Sequence, residues 1–242
     1  MFLSVLLAAQ ITVIAHRGEH LQHAENSIAA IQSAIQLGAD YVELDVRTTR
    51  DGRLVLMHDN AVDRTTDGHG QVKDLTFEEI EHLHMRGYGD AVPTFEAALE
   101  AAHGRIGVYV DWKEASPDAI YQALSAHGML GNVVVYADQG ELQRLQKLAP
   151  DVRVMPEADD SGSLKRGERL LRPKVVAFGQ DDFKPALIRQ TQAMKADIYV
   201  DRLDEQDNAQ AWQNAIDQGA NGIQTNHPAE LVQYLREKHL HP

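Results

Sequence analysis

Apolar and polar positions alternate in blocks along the chain. Short apolar runs lie at Thr12–Ala15, Tyr41–Val46, Leu54–Met57, Ile106–Asp111, Val133–Tyr136, Val152–Met155, Val175–Phe178, Asp197–Val200 and Gly222–Gln224. Most are separated by stretches whose apolar residues recur at helical spacing. Runs of this length read as strands and the stretches between them as amphipathic helices, the order of an α/β protein with a parallel sheet. The first helix shows the pattern well. Asn26 or Ser27 supplies the N-cap, Ile28, Ile31, Ala34 and Ile35 form one apolar face, and Gly38 stands where a left-handed C-terminal residue is needed.

One of the nine runs is of another kind. Only Arg47 to Arg53 separate the second run from the third, too few for a parallel crossover, and Asp51-Gly52 is a hairpin signal. With Asp51 and Gly52 as the two turn residues, Leu54–Met57 folds back antiparallel on Tyr41–Val46 and His58 falls opposite Asp45. Eight parallel strands then remain, the number that closes a TIM (β/α)8 barrel at this length. An open doubly wound sheet is the alternative, but no Gly-x-Gly-x-x-Gly fingerprint opens a first helix. Residues 59–100 hold no long apolar strand. They carry a capping box at Thr76-Phe77-Glu78-Glu79 and a glycine-rich turn at Arg86–Gly89, and they read as a small insertion at the active-site face of a single 242-residue barrel domain.

Composition narrows the function classes. The net charge of −13 disfavours nucleic acid and anionic lipid as partners, because both are held by clustered Lys and Arg. The absence of cysteine excludes disulfides, thiolate metal sites and cysteine nucleophiles. Phe2 to Ala9 is apolar but too short to span a bilayer and has no basic segment before it. It reads as a lead-in to the first strand of a cytoplasmic protein, the alternative being a short export signal ending at Leu7-Ala8-Ala9.

Strand alternation concentrates chemistry. Glu43 and Asp45 share one face of their strand, while Val42, Leu44 and Val46 share the other. Two neighbouring carboxylates within an apolar strand repel each other and are costly to bury, unless a hard divalent cation such as Mg²⁺ or Ca²⁺ lies between them. Asp111 and Lys113 likewise share a face at a strand's C-terminal end, either as a third ligand and a phosphate contact or as a simple ion pair. His16 and His58 each end a strand beside these groups. The other ten histidines fall in loops, helices or the tail and read as surface residues. No Gly-x-Ser-x-Gly elbow and no Walker-type phosphate loop is present.

The motifs His16-Arg17-Gly18, Glu25-Asn26-Ser27, Gly38 to Val46, Thr49-Arg50-Asp51-Gly52, His58-Asp59 and Asp63-Arg64-Thr65-Thr66 occur in one order. In this the chain resembles the glycerophosphodiester phosphodiesterase family. The likeness is specific through about Ile80 and includes Pro93-Thr94-Phe95 and Gly222 to Pro228. From Glu114 to Lys195 only the strand rhythm matches. The resemblance implies a TIM barrel, one divalent cation (Mg²⁺ or Ca²⁺), and hydrolysis of a small-molecule glycerophosphodiester to glycerol 3-phosphate and an alcohol. By the same resemblance, Glu43 and Asp45 are metal ligands, His16 and His58 the acid–base pair, and Arg17 and Lys113 phosphate contacts. Asp111 stands where the family usually has a Glu ligand. Ile198-Tyr199-Val200-Asp201 replaces a Trp-Thr-Val-Asn stretch, which makes Tyr199 the expected aromatic substrate wall. Glu19 to His23 departs from the family pattern beside the site. The alternatives are a lysophospholipase D or sphingomyelinase D-like activity and a non-catalytic barrel that binds phosphate ligands.

Overall fold

The structure, a computed structural model, describes residues 10–242; the apolar stretch before them lies outside the described residues. The strands are β1 (Thr12–Ala15), β2 (Tyr41–Thr48), β3 (Leu54–Leu56), β4 (Gly107–Glu114), β5 (Val133–Tyr136), β6 (Arg153–Met155), β7 (Val175–Phe178), β8 (Asp197–Asp201) and β9 (Gly222–Thr225). The helices are α1 (Ile28–Leu37), α2 (Phe77–Glu81), α3 (Phe95–Ala102), α4 (Pro117–Ala126), α5 (Gln139–Leu148), α6 (Ser161–Leu171), α7 (Pro185–Ala193), α8 (Ala209–Asp217) and α9 (Pro228–Glu237). Eight parallel strands run in the order β6-β5-β4-β2-β1-β9-β8-β7, with β3 antiparallel on β2. The ring closes just past β6, where the Ala177 N–H donates to the Pro156 carbonyl at 3.0 Å and the Ala158 N–H to the Ala177 carbonyl at 2.9 Å. The fold is a TIM barrel. Among the described residues no helix is long and apolar enough to cross a membrane.

Local chemistry explains the elements. Ser27 caps α1 by accepting from the Ala30 N–H, and Gly38 ends it at φ 87°. Thr76 and Glu79 form the reciprocal capping box of α2, and Thr94 caps α3. Alternation sorts the strand residues into two layers. Val42, Leu44, Val46, Val108, Val110 and Trp112 pack outward against the helices in the main core, whereas Ile14, Tyr109, Val134, Met155, Val175 and Tyr199 fill the barrel interior.

Two expectations are corrected. The hairpin loop has three residues, Arg50, Asp51 and Gly52. The Thr49 N–H donates to the Arg53 carbonyl at 2.9 Å, and Gly52 takes φ 86°. A type I turn followed by a left-handed glycine closes such a loop. The register therefore moves by one residue: Val46 pairs with Leu56, and the Met57 N–H bonds the Asp45 carbonyl, so Met57 rather than His58 stands opposite Asp45. The excursion after β3 is also shorter than residues 59–100. Phe95, Ala98, Leu99 and Ala102 of α3 are fully buried in the main core, which makes α3 a barrel helix. The excursion ahead of α3 has a small core of its own, built from Val62, Val72, Ile80, Met85 and Val92 against Val55, Met57 and Ala24.

Candidate active site

The C-terminal ends of β1, β2 and β4 meet at one barrel mouth. Asp45 pairs with Asp111 across β2 and β4, and Glu43 lies one layer deeper beside Tyr109. Glu43 and Asp45 are only 2% and 1% exposed, and one oxygen from each of Glu43, Asp45 and Asp111 falls within 4.8 Å of the others. Burial, reinforced by the charges of Asp45 and Asp111, pushes the Glu43 carboxyl well above the usual carboxylate range. Burial also raises Asp111, with Lys113 pulling the other way and Asp45 adding to the rise. Glu43 Oε2 accepts from the Arg17 N–H at 2.8 Å, while Oε1 is buried with no protein partner. Three crowded carboxylates, one with an orphaned buried oxygen, are an oxygen donor set that fits a hard divalent cation.

A bulge aims Lys113 into this cluster. The β2–β4 register shifts after Val46, so that Arg47 pairs with Glu114 and Lys113 is the extra residue. Continued register would have set Lys113 directly beside Arg47. Instead Arg47 faces the Glu114 carboxylate at 3.7 Å, and Lys113 Nζ reaches Asp111 Oδ2 at 2.6 Å and Asp45 Oδ1 at 3.3 Å. Asp111 and Lys113 are thus in direct ion-pair contact.

The loop after β1 supplies the next groups. Arg17 and Gly18 both take positive φ, 53° and 80°, turning the chain sharply over α1. A Cβ on Gly18 would lie 2.7 Å from Ala30 Cβ, so this approach requires glycine. Arg17 Nε comes within 3.4 Å of Asp45 Oδ2 and Nη1 within 3.1 Å of Glu25 Oε1. Asn26, at φ 60°, donates from Nδ2 to Asp45 Oδ2 at 2.8 Å and accepts the Asp45 N–H at 3.1 Å. It is a fixing residue for the carboxylate, and the cap is Ser27 alone.

Each of the two histidines has its Nδ1 engaged. His16 Nδ1 lies 2.7 Å from Asn226 Oδ1, and Asn226 is held in turn by Asp207 Oδ2, which accepts its backbone N–H at 2.6 Å. Asp207 Oδ1 also accepts from the Thr225 hydroxyl and from Trp212 Nε1. Burial and the adjacent Arg17 charge lower the His16 imidazole to about 4, against a weaker upward pull from Asn226 and Asp45. His58 Nδ1 lies 2.7 Å from Asp59 Oδ1, and its carbonyl accepts from Arg47 Nη2 at 2.8 Å. Met57, the residue before it, donates its N–H to the Asp45 carbonyl, which sets His58 at the end of β2 that carries the carboxylates.

Tyr199 is not brought to this mouth. It pairs with Gly222, the first residue of β9, and lies low in the barrel edge-on to Tyr41, with ring centroids 6.4 Å apart. A Cβ on Gly222 would stand 2.6 Å from the Tyr199 ring, so the glycine makes room for it there. Asp201, two residues further along β8, reaches the mouth instead. Burial, then the charges of Glu157 and Asp111, raise its carboxyl to about 7. Beside Asp111 and Lys113 a cavity of about 490 Å³ opens over Tyr136, Glu157 and Arg166, with the Tyr136 hydroxyl donating to Glu157 at 2.7 Å. None of Asn26, Asn226, Asp207, Tyr136, Glu157 and Asp201 was singled out as a site residue in the sequence. Asn26 and Asn226 stand within the motifs Glu25-Asn26-Ser27 and Gly222 to Pro228 that carry the family resemblance, and Asp201 ends the strand that holds Tyr199.

Residues 16–230 match the Glycerophosphoryl diester phosphodiesterase family. The chain belongs to that family. A glycerophosphodiester phosphodiesterase of Caldanaerobacter subterraneus subsp. tengcongensis is 29% identical over 242 residues, which cover 93% of this chain and 98% of that protein. Coverage of other members is partial: 63% of a Bacillus subtilis relative at 36% identity, and 34% of human glycerophosphodiester phosphodiesterase 1 at 43% identity. Among solved structures, a glycerophosphodiester phosphodiesterase of Agrobacterium tumefaciens superposes with a TM-score of 0.81 at 29% identity, covering 90% of this chain and 97% of that one. An Oleispira antarctica phosphodiesterase, solved with sn-glycerol-3-phosphate, shares the fold at a TM-score of 0.85 and 21% identity, over 94% of this chain and 97% of its own.

Proposed function

We propose that this family member hydrolyses glycerophosphodiesters to glycerol 3-phosphate and an alcohol, using a divalent cation, Mg²⁺ or Ca²⁺, and the pair His16 and His58. The observation that carries the reading is the convergence at one mouth of two imidazoles, each with Nδ1 engaged, around three carboxylates, an arginine and a lysine. Glu43, Asp45 and Asp111 would hold the cation, which supplies positive charge against the charge that develops on the phosphoryl oxygens.

The two orienting partners divide the roles. A neutral amide holds His16, and burial keeps that ring unprotonated above about pH 4, so its Nε2 is the base. A carboxylate holds His58, an arrangement that orients Nε2 as a proton donor. His16 takes the proton of the glycerol 2-hydroxyl as its oxygen attacks phosphorus. His58 gives a proton to the departing alkoxide, and the P–O bond to the alcohol breaks. A water then opens the cyclic phosphate with the proton transfers reversed: His58 accepts the water proton and His16 returns one to the glycerol 2-oxygen. Arg17 and Lys113 add positive charge for the phosphoryl oxygens.

The test is turnover of glycerophosphocholine, glycerophosphoethanolamine and lysophosphatidylcholine with Mg²⁺, with Ca²⁺ and in EDTA. The reading expects glycerol 3-phosphate from the first two, abolished by chelation. Full activity in chelator would overturn the cation's role. Preference for the lysophospholipid would move the activity to a lysophospholipase D. Metal binding with no turnover of any diester would leave a binding barrel.

A further inference from the structure

The proposed reaction leaves unused an ion-pair chain that crosses the mouth from the excursion. Arg64 lies on the segment between β3 and α2. Its Nε donates to Asp59 Oδ2 at 2.6 Å and its Nη2 to Asp59 Oδ1 at 3.2 Å. Its Nη1 donates to Glu25 Oε2 and its Nη2 to Glu25 Oε1, both at 2.8 Å. One planar guanidinium therefore forks onto two carboxylates. Each carboxylate shares an oxygen with a site residue: Asp59 Oδ1 also meets His58 Nδ1 at 2.7 Å, and Glu25 Oε1 also accepts from Arg17 Nη1 at 3.1 Å. The chain runs His58, Asp59, Arg64, Glu25, Arg17 and on to Asp45.

We propose that Arg64 is a positioning residue, which holds the His58 imidazole and the Arg17 guanidinium in one frame across the mouth. It acts through these two groups rather than by a contact of its own. The inference rests on the function proposed above, which gives His58 and Arg17 their roles.

The physical case is one of orientation rather than stability. Arg64 is nearly half exposed, and exposed ion pairs contribute little to folding. Four donor contacts in a rigid plane fix direction, however, and a lysine cannot reproduce the fork. The Arg64 contacts hold Asp59 ionised, with its carboxyl at about 2, so it stays an acceptor for His58 Nδ1 across the working pH range. Without Arg64, Glu25 and Asp59 lose the cation they share, and His58 and Arg17 lose the orientation of the groups that hold them. Misplacement of a reacting group by about 1 Å can cost about 10²-fold in rate.

The test places Arg64→Ala and Arg64→Lys in the wild-type, His58→Ala and Arg17→Ala backgrounds. Initial rates are read on glycerophosphocholine with cation present. Expected for Arg64→Ala is a kcat loss of about 10–100-fold and a rise in KM, with Tm lower by less than about 4 °C. Arg64→Lys recovers only a minor part of the rate. In the His58→Ala background the kcat loss on adding Arg64→Ala shrinks to about twofold or less, and in the Arg17→Ala background the KM rise disappears. The His58 ring is also read without turnover, by long-range ¹H–¹⁵N correlation: a proton held on Nδ1 in the wild type, and one exchanging between Nδ1 and Nε2 of the neutral ring in Arg64→Ala. A kcat within twofold of wild type, an equal loss in the His58→Ala background, or an unchanged His58 nitrogen pattern would each overturn the inference. A wild-type protein inert on every diester would instead overturn the proposed function, leaving the ring measurement to judge Arg64 alone.

Discussion

The partner of His16 offers a sharp test of the acid–base assignment. Asn226 Oδ1 sits 2.7 Å from His16 Nδ1, and the imidazole is held down to about 4 by burial and by Arg17. Asn226→Asp would replace a neutral acceptor with a charged one in nearly the same volume. Two unit charges roughly 4 Å apart at an effective dielectric of about 20 interact by about 4 kcal/mol, equivalent to about 3 pKa units. Part of that is lost, because the new carboxylate must be buried next to Asp207, whose Oδ2 already accepts the residue 226 N–H. A net rise of about 2 units is expected, which carries His16 from about 4 to about 6.

The sign follows from the base role. The neutral ring is the working form, so a higher pKa removes it as pH falls. The acid limb of kcat/KM should move from about 4 to about 6, leaving the variant roughly tenfold less active at pH 5 than at pH 8 while the wild type stays nearly flat. Stability moves with it. The wild-type folded chain refuses a proton that the unfolded chain takes up below about 6.5, so folding should weaken by about 3 kcal/mol between pH 6.5 and 4, and the variant should lose only about 0.5 kcal/mol. Initial rates on glycerophosphocholine across this range, with NMR titration of the His16 ring protons, measure both effects. An acid limb that stays put in Asn226→Asp, or a wild-type His16 that titrates near 6.5, would refute the reasoning.

Other substitutions probe separate links. His16→Ala and His58→Ala should each lower kcat by about 10²–10⁴-fold with circular dichroism unchanged, and near-normal turnover in either would remove that residue from the mechanism. Glu43→Gln deletes one of three crowded carboxylates, so calorimetry should find Mg²⁺ or Ca²⁺ binding weakened at least about tenfold. The metal-free variant should also melt higher than the wild type, because the repulsion from Asp45 and Asp111 is relieved. Gly18→Ala sets a Cβ 2.7 Å from Ala30 Cβ at φ 80°, which should cost about 2–4 kcal/mol in urea unfolding; a neutral result would mean that the loop relaxes away from α1.

Period-two alternation and helix capping are local properties, and they were legible along the chain. They placed the apolar face of α1, its cap at Asn26 or Ser27 and the capping box at Thr76, and they put Glu43 with Asp45, and Asp111 with Lys113, on one face of their strands. Alternation says which side of a strand a residue faces, but not how deep in the barrel it lies. Depth depends on the stagger between neighbouring strands, which many distant contacts decide together. That is why Tyr199 lies low against Tyr41 while Asp201 reaches the mouth, and why a three-residue loop set Met57 rather than His58 opposite Asp45. The orienting partners were hidden for the same reason. Asn226 meets His16 across 210 positions, and Arg64 meets Glu25 across 39. Local patterning thus decided which residues face the barrel interior; closure of the barrel decided which of them meet.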